Sequence, residues 1–411
     1  MRACGVLMPI FSLPSPYGIG TVGKAAYDFV DFLKASGQRY WQILPIGPTG
    51  FGDSPYQSFS AFAGNPYFID LDILVKEKLL TKEEVESFNF GTYDDIDYLT
   101  LFNLRCVLLR VATEKIKPKH TAFAKFCKEN AFWLDDYALF MAIKGENDMV
   151  SWQGWAYELR LREKAALDSA KKRLAGEVHF WRAVQYLFYT QWGALKNYAN
   201  ENGVQIIGDI PIYVSPDSSD LWAQSELFQT NDDKTLSFVA GVPPDGFSAD
   251  GQLWGNPLYA WERHEAEGYA WWVTRMRHAS SVYDVVRIDH FRGFASYFSI
   301  PASETTAKSG KWERGPGIKF IKAIKEQLPD VSIIAEDLGF LTPQVRSLLK
   351  RSGFPGMKVL QFAFDSREES DYLPHNYGHN SVVYTGTHDN TTTLGWLQNA
   401  TKADVAYACE Y

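Results

Sequence analysis

Seven short apolar runs limit what this chain can fold into more than any other feature. They lie at residues 6–10, 40–46, 204–210, 283–288, 331–335, 357–362 and 382–385, and a helical pattern or a long connection follows each. Short, continuously apolar runs fit strands buried on both faces, as parallel strands are beneath covering helices. Two intervening helices carry clear punctuation. An amphipathic stretch at residues 24–36 meets Gly37, which is placed to end it in the left-handed conformation. Thr342 and Pro343 open another as N-cap and first helical residue, and it runs to Gly353 just ahead of the next strand. This rhythm predicts an α/β fold with right-handed crossovers, a (β/α)8 TIM-type barrel.

The connections are unequal. Residues 64–202 read as a mainly helical insertion after strand 2, with a Thr81–Glu84 capping box and long runs at 123–144 and 178–200. Residues 211–277 read as a loop-rich insertion over the cleft, so long loops are expected after strands 3 and 4. The whole of 1–411 is then one catalytic barrel with 46% hydrophobic residues, ample for a large core. No eighth strand is visible before Tyr411. The C-terminal part of the barrel is therefore expected to be missing, which would expose the edges of strands 1 and 7 and lower stability.

The net charge of −8 disfavours a phosphate backbone as partner, so nucleic acid is not expected. Cys4, Cys106, Cys127 and Cys409 are widely spaced and form no C-x-x-C pair, which points to free thiols in a reducing, cytoplasmic setting. The N-terminus lacks a signal peptide's apolar core, and no apolar run reaches the roughly 20 residues of a membrane span. Aromatic residues make up 15% of the chain. They serve either a large core or the recognition of sugar faces, and only their positions can decide between these.

The informative acids directly follow apolar runs: Asp209 after 204–210, Asp289 after 283–288, Glu336 after 331–335 and Asp389 after 382–385. In a parallel barrel the strand C-termini share one face, so acids distant in sequence gather at one rim. One such acid alone is usually a helix N-cap or half of an ion pair. All of them together, with Arg287, His290 and His388 interleaved, favour a chemical site. A metal site is the competing reading, but no ligand pair falls at a close helical spacing such as H-E-x-x-H, and no metal is assigned. Retaining glycoside chemistry needs two carboxylates roughly 5–5.5 Å apart. Asp289 is the nucleophile candidate, because Arg287 lies two residues earlier on the same side of the strand and would keep it ionised. Glu336 has no cation beside it in sequence, which suits a general acid of raised pKa. Asp389 is placed to hold sugar hydroxyls as the ring flattens.

Blocks along most of the chain resemble the α-amylase superfamily, and most closely the 4-α-glucanotransferases known as amylomaltases or disproportionating enzymes. They are Ser54-Pro55-Tyr56-Gln57, Gly208-Asp209-Ile210-Pro211-Ile212-Tyr213-Val214, Gly241-Val242-Pro243-Pro244-Asp245, Gln252-Leu253-Trp254-Gly255-Asn256-Pro257, Arg287-Ile288-Asp289-His290-Phe291-Arg292-Gly293, Ala335-Glu336-Asp337-Leu338-Gly339 and Gly386-Thr387-His388-Asp389-Asn390-Thr391-Thr392. The resemblance implies an inserted barrel, a covalent glucosyl-enzyme intermediate and no metal or organic cofactor. It implies Asp289 as nucleophile, Glu336 as acid/base and Asp389 as transition-state stabiliser. Arg287, His388 and Asp209 would surround the sugar being cut, and Tyr56, Asp245, Trp254 and Asn390 would contact the glucan. The implied partners are malto-oligosaccharides and amylose, with glucose or maltose as acceptor and no membrane.

Plainer roles stay open at this point. Arg287 and Asp209 would also serve as a structural ion pair, Trp254 and Tyr56 as loop anchors, and His290 as packing at the barrel top. A hydrolase and a non-catalytic glucan binder are the competing functions. The choice of transfer rests on the resemblance, with residues 241–259 read as an apolar arch, including Phe247, that keeps water out.

Overall fold

Every one of the seven apolar runs forms a parallel strand. The computed structural model of the protein describes residues 2–50, 52–91, 95–244, 248–339, 341–367 and 369–411. Numbered in chain order, the strands are β1 (Gly5–Leu7), β2 (Tyr40–Gln42), β3 (Gln205–Pro211), β4 (Phe238–Val242), β5 (Gln252–Pro257), β6 (Val285–Asp289), β7 (Ser296–Pro301), β8 (Lys311–Arg314), β9 (Ser332–Ala335), β10 (Gly356–Val359) and β11 (Ser381–Tyr384). Five parallel strands run in the order β1-β2-β3-β6-β9, and β10 pairs in parallel with β11. A backbone hydrogen bond from Ala335 to the Pro355 carbonyl links the two groups at 2.9 Å. The arc is that of an α/β TIM-type fold, and among the described residues it does not close on itself.

The helices end where their residues require. The first, Lys24–Ala35, buries Ala26, Val30 and Leu33, and the chain leaves it through Gly37 at φ +72°. Thr342 caps Pro343–Ser352 through the Val345 amide, and Gly353 follows at φ +70°. Thr81 and Glu84 form the reciprocal capping box. The apolar run at 123–144 divides into Thr121–Glu129 and Ala131–Glu146, because Asn130 turns its side chain back to the Phe126 carbonyl and accepts from the Trp133 indole.

Helix Ala175–Glu201 packs against both β3 and Lys24–Ala35, so it also serves as the crossover into β3. Its Gln185 bonds both backbone groups of Gly64 at 2.7 and 2.9 Å, and Gln191 does the same for Asp70 at 2.7 and 3.1 Å. These buried amides satisfy backbone polar groups that packing has removed from water.

The connections expected as long loops after strands 3 and 4 prove to carry a second sheet. It is antiparallel, in the order β5-β4-β7-β8, with a bulge between Val239 and Gly241. Its strands are short and interrupted by Gly and Pro, so pairing across the two connections stabilises them rather than local pattern. Most of the tryptophan content is core: Trp41, Trp133, Trp152, Trp155, Trp192, Trp222, Trp271 and Trp272 are buried. All four cysteines are unpaired. No helix among the described residues is long and apolar enough to cross a membrane, and among them no group of three or more His, Cys, Asp or Glu side chains is arranged to hold a metal ion.

Candidate active site

Strand register brings the first charges together. In the β3–β6 ladder Asp209 lies directly opposite Arg287, and Asp289 follows two residues later on the same side. The Arg287 Nη1 donates to both Asp209 oxygens at 2.7 Å and to Asp289 Oδ1 at 3.0 Å. Its Nε meets the Met357 sulfur, on β10, at 3.3 Å. The Asp209 side chain is fully enclosed, whereas that of Asp289 keeps 31% of its surface open. Gly208 makes room for this pairing: a Cβ there would lie 2.1 Å from the Tyr283 ring.

Tyr56 closes the cluster from the β2 side. Its hydroxyl donates to Asp209 Oδ2 at 2.7 Å and lies 2.8 Å from His388 Nε2. A phenol has one proton, so Nε2 carries the hydrogen in this contact and donates to the tyrosine oxygen. Burial, and then the charge of Asp209, push the Tyr56 hydroxyl far above its ordinary pKa, which keeps it protonated. Burial also lowers the His388 pKa, against the pull of Asp389, and holds the ring neutral.

Glu336 follows β9 directly. Its Oε2 accepts the His290 backbone N–H and its Oε1 accepts that of Leu338, both at 2.7 Å. His290 reaches this bond from a left-handed backbone, φ 54° and ψ 46°. A non-glycine residue in that region is uncommon, and such conformations cluster at working sites. The His290 ring packs edge-on against Trp254 at 4.8 Å, and burial lowers its pKa to about 3.

Burial raises the carboxyl pKa of both Asp289 and Glu336. At each, Arg287 opposes the rise; Asp209 and Glu336 add to it at Asp289. The expectation that Arg287 keeps Asp289 ionised thus describes only one side of the balance, because one guanidinium nitrogen is divided between two carboxylates and burial outweighs it. The charge of Glu336 thus reaches the titration of Asp289, and both carboxyls are held above their ordinary range by burial.

The remaining sequence candidates occupy the rim. Asp389 is 71% exposed, with His388 Nε2 3.3 Å away. Asn390 Oδ1 accepts from the Thr387 amide and hydroxyl at 2.9 and 3.0 Å, which shapes the loop that presents His388 and Asp389. Trp254, on β5, is partly open, and its indole N–H donates to Gln252. Asp245, and Phe247 of the arch, lie outside the described residues. Sequence reasoning missed the Leu338 and His290 amides as holders of Glu336, the Met357 contact, and the Tyr384–Gln42 bond at 2.7 Å that ties β11 to β2. Backbone donors carry no residue signature; the Ala335-Glu336-Asp337-Leu338 block was their only trace.

A family model described as 4-alpha-glucanotransferase matches residues 8–411. The chain is 50% identical over 408 residues to a 4-alpha-glucanotransferase of Clostridium butyricum, covering 98% of this chain and 84% of that one. It is 50% identical over 417 residues to a 4-alpha-glucanotransferase of Thermus thermophilus, covering 100% and 83%. Among solved structures it superposes with a TM-score of 0.97 on an amylomaltase from Streptococcus agalactiae in complex with acarbose, at 45% identity, covering 100% of this chain and 84% of that one.

Proposed function

The chain belongs to the 4-alpha-glucanotransferase family, and on that premise we propose that Asp289, Glu336 and Asp389 carry the activity of that family here. The reaction cuts an α-1,4-glucosidic bond and passes the glucan to another sugar. We take malto-oligosaccharides and amylose as donors and the 4-hydroxyl of glucose or maltose as acceptor. The free cysteines favour a reducing, cytoplasmic setting.

The observation that carries the assignment is the division of labour around Arg287. It holds Asp289 Oδ1, and we assign attack on the anomeric carbon to Oδ2. Glu336, bonded to two backbone amides, is fixed to protonate the departing glycosidic oxygen as that bond breaks. The resulting glucosyl ester on Asp289 is then attacked by the acceptor hydroxyl, whose proton passes to Glu336, and Asp289 is released. Asp209 is enclosed and acts by positioning Arg287 and Tyr56, while Asp389 and Trp254 face the substrate from the rim. The connection over the cleft, residues 211–277, favours transfer by holding an acceptor where water would otherwise attack.

Incubation with pure maltotriose tests this. Glucose together with maltopentaose and longer chains, at constant total reducing ends, is the expected result. Reducing ends rising with time would make the enzyme a hydrolase. Asp289→Asn is expected to lower turnover by a factor on the order of 10⁴ or more while glucan binding persists; retained turnover would remove Asp289 from its role.

A further inference from the structure

Trp312, at 42% exposure, is the most exposed of the thirteen tryptophans, and nothing in the catalytic reading uses it. It lies on β8, an edge strand of the antiparallel sheet, opposite Phe298. The Arg292 guanidinium covers its ring 4.2 Å from the centroid, and Phe298 meets it edge-on at 5.2 Å. Two neighbours therefore hold the indole still while much of it stays open. An immobilised aromatic surface loses little freedom on binding and presents a large contact area.

The open surface faces a groove of about 1690 Å³ that continues from the catalytic rim. Its walls include Trp254, His290 and Leu338, and the last two supply the amides that hold Glu336. Trp312, Ser347 and Arg351 line the same groove. Asp289, Tyr56 and Glu336 are not themselves among its walls. Through His290 and Leu338 the groove adjoins the acid/base side of the cut, where leaving group and acceptor lie. Its walls carry charges of both signs, with Glu265 paired to Lys319 and Glu313 to Lys311, so no single sign dominates and a neutral chain suits it.

We propose that this groove is a remote glucan-binding site with Trp312 as its stacking platform, holding the distal sugars of a long α-1,4-glucan acceptor or leaving group. The proposal rests on reading Glu336 as the acid/base. Because Arg292 lies in the turn that follows Asp289 and His290, its contact with Trp312 also ties the platform to the catalytic strand end.

Trp312→Ala tests it through acceptor length at a fixed donor. The ratio of the acceptor KM for maltohexaose to that for glucose is expected to rise about five-fold, the size of one lost stacking contact. Trp312→Phe should restore most of the ratio. An unchanged ratio overturns the proposal, whether both KM values rise together, as a structural lesion would cause, or neither moves. An error in the Glu336 assignment would appear separately, as full activity in Glu336→Gln.

Discussion

Tyr56 and His388, 332 residues apart in the chain, stack with ring centroids 5.6 Å apart and share a 2.8 Å hydrogen bond. The contact joins the loop after β2 to the loop after β11, and through Asp209 it reaches the Arg287 cluster. The catalytic rim is thereby tied across the opening of an arc that does not close among the described residues.

Tyr56→Phe removes that tie and keeps the ring. It leaves Asp209 Oδ2 without its tyrosine donor and His388 Nε2 without its acceptor. A buried hydrogen bond to a charged group is worth about 1.5–3 kcal/mol, so a lower melting temperature is expected. Turnover of maltotriose should fall about ten-fold as His388 and Asp389 lose their position. Wild-type turnover in a folded variant would show that the tie has no part in positioning.

Glu336→Gln keeps the side chain's shape and removes its ionisable proton. Loss of a general acid costs about 10²–10⁴ in rate with a maltotriose donor. With α-glucosyl fluoride, whose leaving group needs little protonation, the loss should be much smaller. Equal losses with both donors would count against the acid role.

Gly208→Ala places a Cβ 2.1 Å from the Tyr283 ring, inside β3 and next to Asp209. Either the strand or the ring must move, and overpacking of this kind costs about 1–3 kcal/mol. Denaturant unfolding should show the loss, with activity falling alongside it. A variant of wild-type stability would mean that Tyr283 swings aside freely.

Asp220 gives a pH signature outside the catalytic cluster. Burial pushes its pKa up to about 6, although its Oδ2 accepts the Ala61 amide at 2.8 Å. Because the folded value lies above the unfolded one, this group's contribution to stability is fully present below pH ~4 and is lost as pH rises through about 6. Asp220→Asn retains an acceptor and removes the buried charge. It should therefore stabilise the protein at pH 8 by about 2–3 kcal/mol and change little at pH 4. Melting curves at the two pH values check this, and an equal effect at both would exclude titration as the cause.

The seven parallel strands and the capped helices were legible in the sequence for a local reason. Continuous apolar runs, a Thr-Pro start and a left-handed glycine stop each state their conformation within a few residues. Asp209, Asp289, Glu336 and Asp389 were legible because each stands at or just beyond the end of such a run. The β5-β4-β7-β8 sheet was not, since Gly255, Pro257 and Pro301 interrupt strands that persist only by pairing with partners from another connection.

From its sequence alone, then, this chain determined which acids stand at strand ends, and that Arg287 and Asp289 share a side, because both follow from periodicity. Tertiary structure alone decided that one nitrogen of Arg287 serves both Asp209 and Asp289, that two backbone amides hold Glu336, and that Trp312 stays open while most other indoles are enclosed. These depend on strand register, on the left-handed turn at His290 and on burial, and each is set by contacts between segments far apart in the chain.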